Sequence, residues 1–170
     1  MPWVFAGSFF NFRLTESEAQ NLGQYLMIGG FLFADAGRQE GLRLMIEDAL
    51  DTRAQRKGKD WEFNRLPYSH PIYHCFFDFP SGPPIAGDFA PQTYTRYPGA
   101  PFNYLEGVTI DGRLLAIMSM KWFAQGWSTA EMRSYQQNPV PPQQFGVNVI
   151  VFALTQEGSI TARLTDSLAY

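Results

Sequence analysis

One cysteine, Cys75, stands alone in 170 residues. It can form no internal disulfide, and no cysteine-based zinc site is available. Charge is scarce as well. Asp, Glu, Lys and Arg make up 17% of the chain, against about 25% in an ordinary soluble domain. The charge sum is −3, and no basic run gives the footprint of a nucleic-acid binder. No apolar window reaches the ~18 residues of a membrane span. The opening Met1-Pro2-Trp3 has neither a basic n-region nor a small-residue cleavage site. A signal peptide is therefore not expected, and the chain as written reads as cytoplasmic. Gly-x-Ser-x-Gly, the turn that presents a hydrolase nucleophile, is missing. So is a glycine-rich phosphate loop, because Gly29-Gly30 follows a predicted helix instead of opening one. No internal repeat or low-complexity tract is present.

What is plentiful is apolar and aromatic. Hydrophobic residues make up 45% and aromatic residues 16%. Disorder is excluded for most of the chain. The length fits one domain, residues 1–170, which should bury roughly 70% of the surface of its unfolded form. Flat side chains serve a core first and loop anchors second.

Trp3 to Gly7 is a short continuous apolar run, as expected of a strand buried on both faces. Thr15-Glu16-Ser17-Glu18 is a capping box, in which the Thr hydroxyl takes the amide three residues on and Glu18 reaches back. Ala19, Leu22 and Leu26 follow at helical spacing, and Gly29-Gly30 stops the helix, which spans about Glu16 to Ile28. Phe31 to Ala34 resumes as a buried strand ending at Asp35. Strand, helix and strand make a parallel βαβ unit. A second helix runs from about Gln39 to Thr52, with Leu42, Met45, Ile46, Ala49 and Leu50 on one stripe. Trp61 to Asn64 reads as a third strand, and Ser69-His70-Pro71 as a helix start. Pro80 to Pro101 is a long Pro- and Gly-rich excursion. Asp111-Gly112 between two apolar runs, Leu105–Ile110 and Arg113–Ser119, predicts a hairpin at one side of the sheet. Lys121 to Ser128 reads as a loop carrying Trp122, Phe123 and Trp127. Asn138 to Pro142 reads as a linker. Phe145 to Thr155 has strand propensity, but its length also fits a buried helix. Beyond Glu157 a weak element or frayed end is expected.

Few residues carry chemistry. Asp35 sits where open α/β sheets place ligands, at a strand's carboxyl end, and could equally cap the segment that follows. His70 and His74 share a face at helical spacing, but no acid completes a metal motif, so capping by His70 and packing by His74 are favoured. Cys75 is adjacent to His74 and would point about 100° away from it on a helix, a poor nucleophile pair. Arg113 could clamp an anion beside the hairpin turn, or be a solvated surface cation.

The strings Pro2-Trp3-Val4-Phe5, Leu14 to Glu18, Tyr25-Leu26, Gly29 to Leu32, Asp35 and His70 to His74 are individually weak. Leu105-Glu106-Gly107, Asp111-Gly112-Arg113, Gly146-Val147-Asn148 and Phe152 to Thr155 extend the set. In this order and spacing the chain resembles a bacterial domain-of-unknown-function family, number 4159. That resemblance implies an α/β, flavodoxin-like, class I glutamine amidotransferase-like three-layer fold, with a mostly parallel sheet and one antiparallel hairpin. The segment from Leu14 to Leu32 is also similar to trehalose-utilisation-type domains. The resemblance makes Phe145 to Thr155 a helix. It implies bacterial envelope-associated assemblies, with MoxR-type ATPases and von Willebrand factor A proteins as gene neighbours, and an envelope or periplasmic setting if the start is truncated. Family members carry a further segment before Pro2, so an uncovered sheet edge is expected here. Acidic groups usual in two family loops are replaced by Ala34-Asp35-Ala36-Gly37 and by Met120 to Ser128.

The leading expectation is a non-catalytic ligand- or protein-binding domain without cofactor or metal. Its expected contact residues are Asp35, Arg113, Trp122 and Trp127, with Phe123, Tyr94, Tyr97 and Phe102 completing an aromatic rim. The alternative is a hydrolase or transferase with Asp35, His70 and His74 converging in a cleft. A third is a structural role through an exposed sheet edge.

Overall fold

A computed structural model describes residues 1–7, 13–35, 39–84, 86, 103–128 and 138–168. The first unit is β1 (Trp3–Gly7), α1 (Glu16–Met27) and β2 (Phe31–Asp35). Thr15 Oγ1 accepts from the Glu18 amide at 3.3 Å, and the Glu18 carboxylate accepts from the Thr15 amide at 2.8 Å. This is the predicted capping box. Gly29 ends α1 at φ +110°, and a Cβ there would lie 2.7 Å from the Gly158 carbonyl oxygen. Next come α2 (Gln39–Asp51), the short β3 (Phe63–Arg65) and a 3-10 turn, Pro71–Tyr73. β4 (Glu106–Ile110) and β5 (Arg113–Ser119) form the predicted hairpin. Asp111 and Gly112 take φ +50° and +78°, the two positive values that a tight hairpin turn of matching twist needs. The chain continues through α3 (Phe123–Trp127), α4 (Val140–Thr155) and α5 (Ile160–Leu168).

The five strands among the described residues form one mixed sheet in the order β1-β2-β5-β4-β3. β1–β2 and β2–β5 are parallel, while β5–β4 and β4–β3 are antiparallel. Two of the pairings are parallel and two antiparallel, so the sheet is mixed. The two-residue turn at Asp111-Gly112 forces β4 back along β5, and β3 then pairs with β4. The hairpin also lies further inside than expected, since β5 is the central strand. β1 is corrected too. Among the described residues it pairs on one side only and is half-buried, whereas β2 is buried throughout.

Helices cover both faces. Leu26 of α1 and Leu42, Met45, Ile46 and Leu50 of α2 pack with Leu32, Ala34, Ala116 and Met118 of the sheet. Phe145, Val149 and Phe152 of α4 pack on the other face with Phe31, Phe33, Leu114 and Ile117. The alternation along β5 survives a bulge. Thr109 pairs with Leu114 and Val108 with Ala116, leaving Leu115 as the extra residue. Without that insertion, Ala116, Ile117 and Met118 would each present to the opposite face.

Three expectations for the second half change. α3 occupies part of the expected loop. α4 begins inside the expected linker, because Pro141 and Pro142 fall in its first turn, where their missing N–H groups have no intrahelical partner to lose. Phe145 to Thr155 is helical, as the resemblance implied and against the strand propensity of its Val and Ile residues. The buried positions Phe145, Asn148, Val149, Phe152 and Ala153 follow helical spacing, so tertiary packing overrides propensity. Most of the Pro80–Pro101 excursion, with Tyr94, Tyr97 and Phe102, lies outside the described residues.

α1 crosses α2 at Gly23. A Cβ there would stand 2.2 Å from the Ala49 carbonyl oxygen and 2.6 Å from Thr52 Oγ1. Alanine ordinarily favours a helix by about 1 kcal/mol over glycine. Here Gly23→Ala should instead lose about 1–2 kcal/mol net, because overpacking outweighs propensity. Urea unfolding of the variant checks the sign.

Candidate functional site

Gly7, Asp35 and Ser119 end the three parallel strands side by side, since Gly7 pairs with Asp35 and Asp35 with Ser119. This row is the carboxyl end of the sheet, where a ligand is expected in an open α/β arrangement. The residues that directly follow β1 and β2, 8–12 and 36–38, lie outside the described set.

Asp35 is 3% exposed. Its Oδ1 accepts from the Trp122 amide at 3.1 Å and its Oδ2 from the Ala124 amide at 3.4 Å. The Ser119 side chain bonds to it as well. Asp35 does cap a helix, but that helix is α3, which begins 88 positions downstream at Phe123, and not the segment after β2. The cap has a physical need. Trp122 occupies the N-cap position in a left-handed conformation, φ +58°, and offers no side-chain cap of its own. A bulky residue there costs about 1–2 kcal/mol, and the bond from its amide to Asp35 holds it. Burial pushes the Asp35 carboxyl up to about 7, against the lowering pull of Ser119 and the amides of residues 122–124.

Sequence reading missed two further polar residues at this end. Ser119 Oγ accepts from the Lys121 amide at 2.9 Å. Lys121 itself is 2% exposed, although its place in a predicted loop suggested solvent. The signal lay in the apolar run before it, which carries the chain into the interior.

The other candidate residues sit elsewhere. His70 lines a cavity of about 360 Å³ together with Gly112, Arg113 and Leu114. The His70 ring lies 5.3 Å from that of Phe152, which in turn lies 5.9 Å from that of Phe31 at the start of β2, the end of that strand remote from Asp35. The Nδ1 of His70 accepts from the Ile72 amide at 3.2 Å, so it caps the 3-10 turn. Burial lowers its pKa. His74 does not pack but is exposed. Its Nε2 donates to the Tyr68 carbonyl at 2.7 Å, and its Nδ1 meets the Asp78 carboxylate at 2.5 Å. The Tyr68 carbonyl and then Asp78 raise its pKa. Cys75 donates to the Asn148 carbonyl at 3.2 Å, and burial raises its thiol pKa. Arg113 donates to the carbonyls of Gly30, at 3.0 Å, and Leu26. It therefore secures the end of α1 and borders a cavity of about 320 Å³ with Glu157 and Arg163. The structure does not bring Asp35, His70 and His74 together. Among the described residues, no group of three or more His, Cys, Asp or Glu side chains could hold a metal ion. No described helix is long and apolar enough to cross a membrane.

The expected aromatic rim divides. Phe123 is fully buried, stacked 5.1 Å from Phe145, and is a core residue. Trp127 is half-buried, with its ring 5.1 Å from Phe5 and 5.8 Å from Phe33. Its Nε1 donates to the Pro142 carbonyl at 2.9 Å. One side of the indole remains open to a groove of about 230 Å³, lined also by Trp3, Gln143, Gly146, Val147 and Ile150.

The family whose description reads "Domain of unknown function (DUF4159)" matches residues 1–154. The chain belongs to this family. No curated protein matches it. In this DUF4159 domain the buried Asp35 cap makes folding depend on pH. Its pH dependence follows from the raised folded-state pKa. The stabilising contribution of the proton is complete below the unfolded value near 3.8. It is lost as pH rises toward about 7. Between pH 5 and 7 the wild-type chain should lose about 2 kcal/mol of unfolding free energy from this group. Asp35→Asn should remove that slope, as read by urea titrations at the two pH values.

Proposed function

We propose that this DUF4159 domain is a non-catalytic protein-binding domain, and that its contact surface is the groove between α4 and the edge strand β1. The observation that carries this reading is an unmet apolar surface. Val147 and Ile150 are each 37% exposed and Val140 is 48% exposed, and all three lie on α4. Trp3 and Trp127 wall the groove beside them. The sequence of α4, VPPQQFGVNVIVFALT, contains no charged residue. A helix apolar on every side belongs in an interior, and a contiguous patch of this kind marks a contact site.

The polar candidates support the same reading. Asp35, His70, Cys75 and Arg113 each hold a backbone group. The parallel βαβ unit, with helices on both faces of the sheet, is in keeping with a flavodoxin-like, class I glutamine amidotransferase-like scaffold, and the trehalose-utilisation-type likeness belongs to the same proposal. A hydrolase or transferase using Asp35 has one observation in its favour: a carboxyl pushed up to about 7 at a strand end suits acid–base work. Neither histidine reaches it.

The test is site-directed photo-crosslinking in the native host. A photoreactive residue at position 147 or 150 should give a discrete adduct band, and the same residue at exposed Lys59 should give none. Equal labelling at all three positions, or at none, would overturn the assignment. Trp127→Ala is a poorer probe, because the lost packing on Phe5 and Phe33 would cost about 2 kcal/mol or more by itself.

A further inference from the structure

We infer that the cavity between the Asp111-Gly112 turn and α5 binds an oxyanion group of a small ligand, a carboxylate or a phosphate, held by Arg113 and Arg163. This goes beyond the protein-contact reading of the α4 groove and does not depend on it. Both arginines line the cavity of about 320 Å³, and pockets for small molecules run from about 300 to 1,000 Å³. The end of α1 organises the site. Arg113, the first residue of β5, donates from Nη1 to the Gly30 carbonyl and from Nη2 to the Leu26 carbonyl. The Ile160 amide donates to the Gly29 carbonyl at 3.0 Å. The helix that carries Arg163 is therefore tied to the same turn of chain as Arg113.

The two positive charges are not spent internally. The ion pairs among the described residues are Arg13–Asp48, Arg43–Glu106, Lys57–Glu47 and His74–Asp78, and neither cavity arginine belongs to them. A guanidinium carries five N–H donors, so two carbonyl bonds leave Arg113 with donors to offer. Those bonds also hold its planar fork, the shape that meets the paired oxygens of a carboxylate or phosphate. Burial, and then the like charge of Arg163, lower the Arg113 pKa. An anion bound to both arginines relieves that repulsion. Gly158 leaves room beside the guanidinium, since a Cβ there would stand 3.2 Å from Arg113 Cδ and 4.0 Å from its Nε. Asp111 and Glu157 line the same cavity and are exposed. They do not pair with either arginine, and their charge opposes an anion. The chain as a whole carries −3, so its overall field repels anions and the attraction has to be local.

Titration of the isotope-labelled full chain with inorganic phosphate and with malonate, followed by NMR at low ionic strength, tests this. One or both probes should shift the Gly112 and Gly158 amides and the Arg113 Nε–H, and the shifts should saturate. A response to phosphate alone assigns a phosphate ligand, a response to malonate alone a carboxylate, and a response to both the shared oxyanion chemistry. Arg163→Gln should weaken binding by about tenfold. Glu157→Gln removes a repelling charge and should tighten binding by about threefold. Both side chains are exposed, and unfolding curves like those of the wild type establish that the variants fold. Arg113 is the poorer position to change, because its loss would leave the Leu26 and Gly30 carbonyls without their donor. Absence of a saturable shift with either probe overturns the inference, and shifts that grow without saturating do the same. An Arg163→Gln variant that binds as the wild type does, or a Glu157→Gln variant that binds no more tightly, overturns it as well.

Discussion

The carboxyl of Asp35 takes two backbone amides from the segment after β5, and the outer half of the molecule hangs on that bond. It fixes Trp122 in a left-handed conformation and sets the direction of α3. α3 in turn delivers Phe123 into the core against Phe33 and Phe145, and Trp127 against Phe5. Trp127 then donates to the Pro142 carbonyl in the first turn of α4. A continuous line of contacts therefore runs from a buried carboxyl at a strand end to the apolar groove. The groove's wall is rigid only as far as that line holds.

α4 is anchored at a second point by an amide. Asn148 is fully buried. Its Nδ2 donates to the carbonyls of Ile72 and Phe77, and its Oδ1 accepts from the Phe77 amide. The side chain satisfies both its donor and its acceptor sides against one turn of chain. Apolar packing alone would let an uncharged helix slide or rotate on the sheet. These directional bonds fix its rotation, and rotation decides which stripe faces outward.

The first half of the fold was legible because its signals are local. Thr15 and Glu18 announce the start of α1, Gly29 its end, and Asp111-Gly112 the hairpin. β2 read as a buried strand and is one. β1 read the same way, since Trp3 to Gly7 is as apolar as Phe31 to Ala34. What separates them is the number of neighbouring strands, a tertiary fact with no local trace. The start of α4 was hidden for a related reason. Pro141 and Pro142 look like a linker until their place in a first turn is known. Capping was one of the two readings Asp35 offered from its position at the strand end, but the helix it caps, α3, is remote in sequence. The roles of Lys121 and Asn148 were not read at all, because a lysine after an apolar run and an asparagine within one look alike whether buried or solvated.

The balance between binding and catalysis turns on what each polar side chain already does. A general acid or base has to exchange a proton with something that arrives and leaves. Asp35 is committed to Trp122 and Ala124, His70 to Ile72, Cys75 to Asn148 and Arg113 to Leu26 and Gly30. Each is a bond to the chain's own backbone, and breaking it would expose an unpaired amide or carbonyl at a cost of about 1–3 kcal/mol. No such commitment applies at the groove. Val147, Ile150 and the open side of Trp127 give up nothing but contact with water when they are covered, at about 25 cal/mol gained per Å² of apolar surface. Covering the groove therefore costs none of the bonds that a reacting visitor at the polar side chains would have to break. That asymmetry favours an interface over an active site.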